Sequence, residues 1–225
     1  MDRPKALLEI QGKAIIDYIV EQINTVSDID EIIVISNHKF ADQFKSWASG
    51  VKSGIPVKVL DDGTTDENSR LGAIGDIAYC IEQEDIDDEL VIIAGDNLFT
   101  FPLAEYRRFF AEKNSDCVCV QRIEDIEARR QIGIALLDSD GRVIDMEEKP
   151  REPKSDCGVF ATYMYKRETI PLIKQYLAEG NKLDAPGFFV SWLYKRKPVY
   201  AYVMNGKCYD IGTPEALEQA EFLEL

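Results

Sequence analysis

Short runs rich in valine and isoleucine alternate with segments of helical periodicity through the first half of the chain. The predicted strands cover residues 31–36, 56–60, 89–94 and 116–121, and the predicted helices cover 14–25, 39–48, 70–84 and 103–113. Continuous apolar runs such as Leu90–Ile93 are typical of strands covered on both faces, and regular strand–helix alternation favours a parallel sheet. We therefore predict an α/β protein with a Rossmann-like, mostly parallel sheet flanked by helices.

The second half of the chain has a different pattern, in which four strands are predicted: IGIALLD, GRVIDMEE, GVFATYMY and PVYAYVMN. The turn DSDG at 138–141 joins the first two as a hairpin, so this half is expected to add a mixed or antiparallel extension to the sheet. Helices are predicted at 167–178 and 186–195. A last helix begins at TPE, 213–215, where threonine can cap the helix and proline suits its first turn.

Charge limits the partners of the chain. Aspartate and glutamate outnumber lysine and arginine 41 to 26. This balance disfavours nucleic acid and anionic lipid, so the phosphate groups of a ligand must be met locally, by a metal ion or a few lysines. No apolar run approaches the roughly 20 residues that cross a bilayer, and no signal-type segment follows the initial MDRPK. We expect a cytoplasmic protein that binds neither nucleic acid nor membrane.

The cysteines, the single histidine and one aromatic segment are predicted to be structural. The five cysteines form no C-x-x-C pair, and no histidine stands at zinc-ligand spacing. Cys117 and Cys119 point to the same face of a predicted strand, as core thiols do. His38 is predicted at the surface, at the start of a helix. The helical spacing of apolar residues in 188–193 favours a core, or the dimer face of a homo-oligomer, over a cofactor platform.

Four segments carry polar groups near places where ligands gather in α/β sheets, the carboxyl ends of strands. Asp96 in AGDNLF follows a buried strand, and Asp210 in YDIGTP closes the last strand. The EEKP segment, 147–150, offers a carboxylate to a hydroxyl group and an ammonium to a phosphate. Lys5 and Lys13 are the early cations. Each feature alone could equally be a turn residue, a helix cap or a solvated surface group.

Taken together and in this order, these segments resemble the sugar-1-phosphate nucleotidyltransferase family, which includes glucose-1-phosphate thymidylyl- and uridylyltransferases. The resemblance rests on RPKALL, RLGA, GDN, EEKP and DIGTP, and it covers nearly the whole chain as one domain over residues 1–225. It implies that a phosphate oxygen of a sugar 1-phosphate attacks the α-phosphorus of a nucleoside triphosphate and expels pyrophosphate. UTP or dTTP is the expected nucleotide, and CTP is a further candidate.

The resemblance also implies residue roles. Asp96 and Asp210 would hold Mg²⁺, an ion that takes one or two carboxylates together with phosphate oxygens. Lys149 would bind the sugar phosphate and Lys5 the nucleotide phosphates. The other expected substrate-binding residues are Lys13, Glu67, Gly72, Gly133 and Glu148.

These substrate-binding residues would do different things. Glu148 would accept hydrogen bonds from sugar hydroxyls, while Gly72 and Gly133 would let the backbone approach the nucleotide and the sugar. Glu67 stands where the family has a base-reading glutamine. Phe160–Ala161 replaces the family's Thr-Gly or Val-Gly in the sugar-facing strand. Both departures leave the base and the sugar open.

A third departure concerns the start of the chain. The family begins with a strand and a glycine-rich loop whose arginine cradles the triphosphate, whereas this chain starts after that loop. Rossmann-like sheets begin in the middle of the sheet, so the missing strand would be a central one. We therefore expect the natural form to carry this strand and loop before Asp2, and the chain as written to have little or no activity.

Two other functions stay open. One is a non-catalytic or truncated relative that senses a nucleotide or a sugar phosphate. The other is a cytidylyltransferase that acts on a different alcohol phosphate, which shares the chemistry but not the substrate.

Overall fold

The computed structural model describes residues 3–66 and 68–223. Its strands are β1 (Glu9–Ile10), β2 (Lys13–Ala14), β3 (Ile32–Ser36), β4 (Val57–Asp61), β5 (Leu90–Ile93), β6 (Asn97–Phe99), β7 (Asp116–Arg122), β8 (Gly133–Leu137), β9 (Val143–Glu148), β10 (Cys157–Tyr165), β11 (Val199–Val203) and β12 (Cys208–Asp210). Its α-helices are α1 (Ile15–Ile23), α2 (His38–Ala48), α3 (Ala73–Gln83), α4 (Leu103–Lys113), α5 (Ile126–Arg129), α6 (Ile170–Ala178), α7 (Pro186–Leu193) and α8 (Pro214–Ala220).

The predicted α/β class, a Rossmann-like sheet flanked by helices with a mixed or antiparallel extension in the second half, is confirmed; among the described residues the parallel strand pairs are β3–β4 and β7–β11. The predicted β8–β9 hairpin forms, and Gly141 in its turn has a positive φ of 79°. The Asp138 carboxylate stabilises this turn by accepting hydrogen bonds from the backbone N–H groups of Asp140 and Arg142, each at 2.9 Å. The predicted cap of the last helix also forms, because the Thr213 hydroxyl accepts a hydrogen bond from the N–H of Ala216 at 3.2 Å.

The chain forms two compact units. The first unit comprises Met1–Arg70, Ala94–Ala104 and Gly206–Leu225, and the second comprises Leu71–Ile93 and Glu105–Asn205. The grouping of all residues 1–225 into one functional domain stays a prediction.

The described residues of the first unit form three two-stranded sheets. Strands β3 and β4 are parallel, whereas β1–β2 and β6–β12 are antiparallel. Helix α1 stabilises this unit from two neighbouring positions: Ile16 packs with Phe44 of α2, and Ile15 packs with Leu98 of β6 and Ile211 beyond β12. The apolar face of α1 therefore links the parallel pair to the β6–β12 pair.

The second unit is built on one six-stranded sheet. Its order is β11-β7-β10-β8-β9, and β5 also pairs with β10; only the β7–β11 pair is parallel. Helices α6 and α7 cover one face with an aromatic cluster of Tyr176, Phe189 and Trp192, whose rings lie 5.3–5.8 Å apart. The apolar segment 188–193 therefore contributes to the core of this unit, which is one of the two alternatives that its sequence allowed.

The predicted core position of Cys117 and Cys119 and the predicted surface position of His38 are confirmed. Cys117 and Cys119 are both fully buried, and all five cysteines are free thiols. His38 begins α2 with an exposed side chain, and its Nδ1 lies 2.6 Å from Asp61 Oδ2. Among the described residues, no helix is long and apolar enough to cross a membrane.

Two apolar strands have an edge without a strand partner within residues 3–66 and 68–223. In the first unit β3 pairs only with β4, and in the second unit β5 pairs only with β10. All four residues of β5 are half-buried, although their Leu-Val-Ile-Ile sequence is typical of a strand covered on both faces. The expected additional central strand before Asp2 stays a prediction.

Gly72 immediately precedes α3 and has φ 76° and ψ 162°, a conformation that side chains disfavour. The chain also passes very close to this residue, since the N–H of Ile74 donates to the Leu183 carbonyl at 3.0 Å. A Cβ atom at Gly72 would lie only 2.8 Å from the same Leu183 oxygen. The glycine is therefore required by backbone conformation and by space.

We predict that Gly72→Ala lowers the free energy of unfolding by about 1–3 kcal/mol, because it adds both strain and a backbone clash. Gly180→Ala is the matched control, since Gly180 also has a positive φ, 72°, but a Cβ there would meet nothing within 4 Å. Urea denaturation of both variants measures the difference. An equal loss in the two variants would contradict the close approach to Leu183.

Candidate active site

The predicted metal ligands Asp96 and Asp210 are brought together by the β6–β12 pair of the first unit. Asp210 is the ladder partner of Asn97, and the N–H of Ile211 donates to the carbonyl of Asp96 at 3.0 Å. Asp96, immediately before β6, and Asp210, at the end of β12, therefore occupy diagonal positions. Asp96 is half-buried and Asp210 is exposed.

The pKa of the Cys208 thiol is raised by burial and by the negative charge of both aspartates. Burial, and to a smaller extent the negative charges of Asp210 and Asp96, raise the pKa of Cys208 to about 12. Both carboxylates are thus within electrostatic reach of one buried side chain, and this thiol stays protonated at neutral pH. The site concentrates negative charge, as a cation site does.

The donor set at this pair fits a magnesium ion that also binds a phosphate ligand. No group of three or more His, Cys, Asp or Glu side chains that could hold a metal occurs in the part of the chain that the structure describes. Mg²⁺ does not need such a group, because it usually keeps several waters and takes one or two carboxylates plus substrate phosphate oxygens. Asp96 and Asp210 supply the two carboxylates.

The segment that carries Lys5 packs against Gly95, the residue before Asp96. A short 3₁₀ turn spans Lys5–Leu7 after the buried Pro4, and a Cβ at Gly95 would lie 3.3 Å from the Cβ of Ala6. Lys5 is exposed, and its ammonium has no hydrogen-bond or ion-pair partner among residues 3–66 and 68–223. The structure therefore brings Lys5 into the neighbourhood of the carboxylate pair with its charge available.

Lys13 is engaged within the first unit. Its ammonium lies 2.7 Å from Glu21 Oε2 and 3.6 Å from the centre of the Tyr18 ring. A substrate-binding role for Lys13 would require the loss of this ion pair. The role stays a prediction.

The second unit brings together Gly133, Glu148 and Lys149. Gly133 at the start of β8 is the ladder partner of Glu148 at the end of β9. The N–H of Lys149 donates to the carbonyl of Ile132 at 3.1 Å, and Lys149 has a positive φ of 49°. Positive φ is uncommon outside glycine and often marks strain at functional sites.

The Glu148 carboxylate is partly removed from water. Burial raises its pKa, and the positive charge of Lys149 opposes that rise. Among the described residues, none donates a hydrogen bond to this carboxylate. A half-buried polar group without a hydrogen-bond partner costs free energy. Hydrogen bonds donated by a ligand would offset this cost, so the Glu148 carboxylate is suited to accept them.

Glu67 and Gly72 are two further predicted site residues, and Gly187 is a residue that the sequence did not indicate. Glu67, the predicted base-reading position, lies outside the described residues. Gly72 approaches the backbone of Leu183, as described above, and its role toward a nucleotide stays a prediction. Sequence reasoning missed Gly187, which contacts Glu148 from the first turn of α7. The only signal in the sequence was a glycine next to the helix-starting Pro186.

Comparisons with known proteins point to one family. A family model for nucleotidyl transferases matches residues 1–224. The bifunctional protein GlmU of Methanocaldococcus jannaschii is 26% identical over 99% of this chain and 50% of its own length. The glucose-1-phosphate adenylyltransferase of Clostridium novyi is 27% identical over 76% of this chain and 45% of its own length.

A solved structure shares the fold. UDP-glucose pyrophosphorylase, complexed with UDP-glucose, superposes with a TM-score of 0.77 and 18% identity, over 97% of this chain and 89% of that one. This likeness at low identity concerns the fold alone. The chain spans about half the length of the curated relatives that it matches.

The pKa of Glu148 can be tested without any substrate. We predict that ¹³C NMR of the side-chain carboxyl gives a pKa above the ordinary glutamate value, because burial disfavours the charged form. Lys149→Met should raise it further, since the variant removes the neighbouring positive charge. Lys174→Met is the control on an exposed helical position of the same unit. A Glu148 pKa that is unmoved by Lys149→Met would show that the two groups are not close.

Proposed function

The chain belongs to the nucleotidyl transferase family, and on that premise we propose that it transfers a nucleotidyl group from a nucleoside triphosphate to a sugar 1-phosphate. The observation that carries the proposal is the set of charged groups that the fold presents without internal partners. Lys5, Asp96, Glu148 and Lys149 all belong to this set among the described residues. Groups of both signs are what a phosphorylated, hydroxylated substrate requires.

The proposed reaction is a displacement at phosphorus. An oxygen of the sugar 1-phosphate forms a bond to the α-phosphorus of the triphosphate, and the bond from the α-phosphorus to the bridging oxygen breaks. Pyrophosphate leaves, and the product is a nucleotide sugar. Because two anions must approach each other, the main work of the protein is to position the phosphates and to stabilise their charge.

The groups of the first unit suit the triphosphate. Asp96 and Asp210 would hold Mg²⁺, which when bound supplies positive charge that offsets repulsion between phosphate oxygens. Lys5 adds an exposed ammonium on a neighbouring segment, whose own position is fixed by the buried Pro4, Ala6 and Leu7. The positive charge is therefore supplied locally in a chain whose formal net charge is -15.

The groups of the second unit suit the sugar phosphate. Glu148 can accept hydrogen bonds from ring hydroxyls, and the adjacent Lys149 can bind the phosphate with its exposed ammonium. Gly133 lies opposite Glu148 in the ladder, where a Cβ would approach Glu148 Oε2 to 2.9 Å. A side chain at this position would crowd the carboxylate.

The base and the sugar are not specified by these groups. UTP or dTTP remain our first candidates and CTP a further one, while one relative is named for adenylyl transfer and the solved neighbour contains UDP-glucose. The test is a panel of these triphosphates with sugar 1-phosphates and other alcohol phosphates, with pyrophosphate release as the readout. Release with a sugar 1-phosphate supports the proposal. Binding of both substrates without release supports the non-catalytic sensor, and release only with CTP and another alcohol phosphate supports the third candidate.

We predict that Asp96→Asn and Asp210→Asn each lower turnover at least about a hundredfold in an active form, because each removes charge that offsets phosphate repulsion. Each variant should also need more Mg²⁺ for half-maximal rate. Pyrophosphate release across a magnesium titration measures both effects. Asp140→Asn, in the exposed β8–β9 turn, is the control for charge loss alone. Near-native turnover with unchanged magnesium dependence in either site variant would overturn the metal assignment.

A separate prediction concerns Glu67. A carboxylate only accepts hydrogen bonds, whereas glutamine can both accept from N3 and donate to O4 of uracil or thymine. Glu67→Gln should therefore sharpen the preference among UTP, dTTP and CTP, as measured by the ratios of kcat/KM. Unchanged ratios would remove Glu67 from the base site.

A further inference from the structure

The Glu148 carboxylate lies between two glycines. A methyl group built at Gly133 would lie 2.9 Å from Glu148 Oε2 and 2.8 Å from Met146 Cε. A methyl group built at Gly187 would overlap with the same Oε2 and lie 3.2 Å from Met146 Cε. We call the space bounded by Gly133, Gly187 and Met146 the glycine slot. The carboxylate of Glu148 occupies this space, which side chains at the two glycines would otherwise fill.

The backbone conformation at Gly187 does not require glycine. This residue lies in α7, in the range of φ that all residues adopt, unlike Gly72 or Gly141 with their positive φ angles. Glycine in a helix is about 1 kcal/mol less favourable than alanine. Alanine at position 187 would favour the helix more than glycine does. The space that glycine leaves open for the Glu148 carboxylate explains why glycine occupies this position.

The first turn of α7 is also held firmly against β9. The Ser191 hydroxyl donates to the carbonyl of Met146 at 3.1 Å and lies 3.0 Å from the carbonyl of Gly187. Phe189 and Val190, which follow in the helix, are fully buried in the core. A side chain at 187 would consequently displace the Glu148 carboxylate, since the helix itself is fixed by its packing.

We propose that Gly187 is a positioning residue for the sugar subsite: it opens the slot in which the Glu148 carboxylate is held for hydroxyl groups. The inference rests on the proposed function, because it assigns Gly187 to the same sugar-binding role of Glu148. In the slot, the carboxylate receives no hydrogen bond from the described residues, so its capacity to accept hydrogen bonds is left for the hydroxyls of a sugar ring. Gly187 acts only through Glu148.

The test is a size-compensation experiment on an active form of the protein, with glucose 1-phosphate and UTP as probes. Gly187→Ala should raise the KM for glucose 1-phosphate at least about tenfold and leave the KM for UTP within about threefold, while the melting temperature does not fall. The aspartate side chain in Glu148→Asp is shorter. In that background, Gly187→Ala should therefore raise the KM for glucose 1-phosphate by a factor at least about threefold smaller than in the wild type. Gly50→Ala is the control at a helix end, where the nearest atom to an added Cβ is 3.8 Å away.

Two outcomes would overturn the positioning role. One is an equal effect of Gly187→Ala in the wild-type and Glu148→Asp backgrounds. The other is a parallel rise in the KM for UTP, which would indicate a general disturbance of the fold.

A substrate-free measurement separates this inference from the proposed function. If no form of the protein releases pyrophosphate with any sugar 1-phosphate, the proposed function fails, and ¹³C NMR titration of Glu148 still tests the slot. In Gly187→Ala, displacement of the Glu148 carboxylate into water should lower its pKa toward the ordinary glutamate value. In Gly50→Ala the pKa of Glu148 should not change. An unmoved pKa in Gly187→Ala would overturn the slot itself.

Discussion

Backbone hydrogen bonding along β10 is the interaction on which the second unit depends. This strand pairs with β5, β7 and β8, and its register with β7 shifts between Phe160 and Tyr163. The irregularity increases the bend of a strand and divides it into parts that pair differently. The first part, from Cys157 to Val159, pairs with β8, and β8 in turn pairs with β9. The position of Glu148 beside Gly133 is therefore the end of a continuous chain of backbone pairings that starts at β10.

The second unit contains one fully buried carboxylate, that of Asp116, and one half-buried carboxylate, that of Glu148, and their surroundings differ. Asp116 is fully buried, and it receives the Lys197 ammonium at 2.9 Å, the Thr169 hydroxyl at 2.8 Å and the N–H of Lys166 at 2.7 Å. Burial raises its pKa and these bonds oppose the rise, so the charge is compensated within the fold. Glu148 has no such donor among the described residues. A carboxylate whose desolvation is not compensated internally lowers stability, and such costs are typical of sites that await a ligand.

Local patterns were sufficient to predict the types and approximate bounds of the main strands and helices. The hairpin turn at Asp138, the cap at Thr213 and the buried pair Cys117 and Cys119 follow from chemistry within a few residues of the position concerned. The same holds for the placement of Asp96 just beyond the carboxyl end of β5, since a strand and the loop after it are adjacent in the chain. Sequence reasoning was weaker for Lys13, whose pairing with Glu21 depends on the course of α1.

The sequence by itself determined the alternation of strands and helices, the motifs and the chemical types of the site residues. Only the tertiary structure decided which of those residues meet. The β6–β12 ladder places Asp210 diagonally from Asp96, and the packing of α7 on β9 places Gly187 against Glu148. The physical reason is that propensity, capping and periodicity act over a few residues. Strand pairing and helix packing instead join segments that are distant in the chain, and they are selected by the burial and hydrogen bonding of the whole unit.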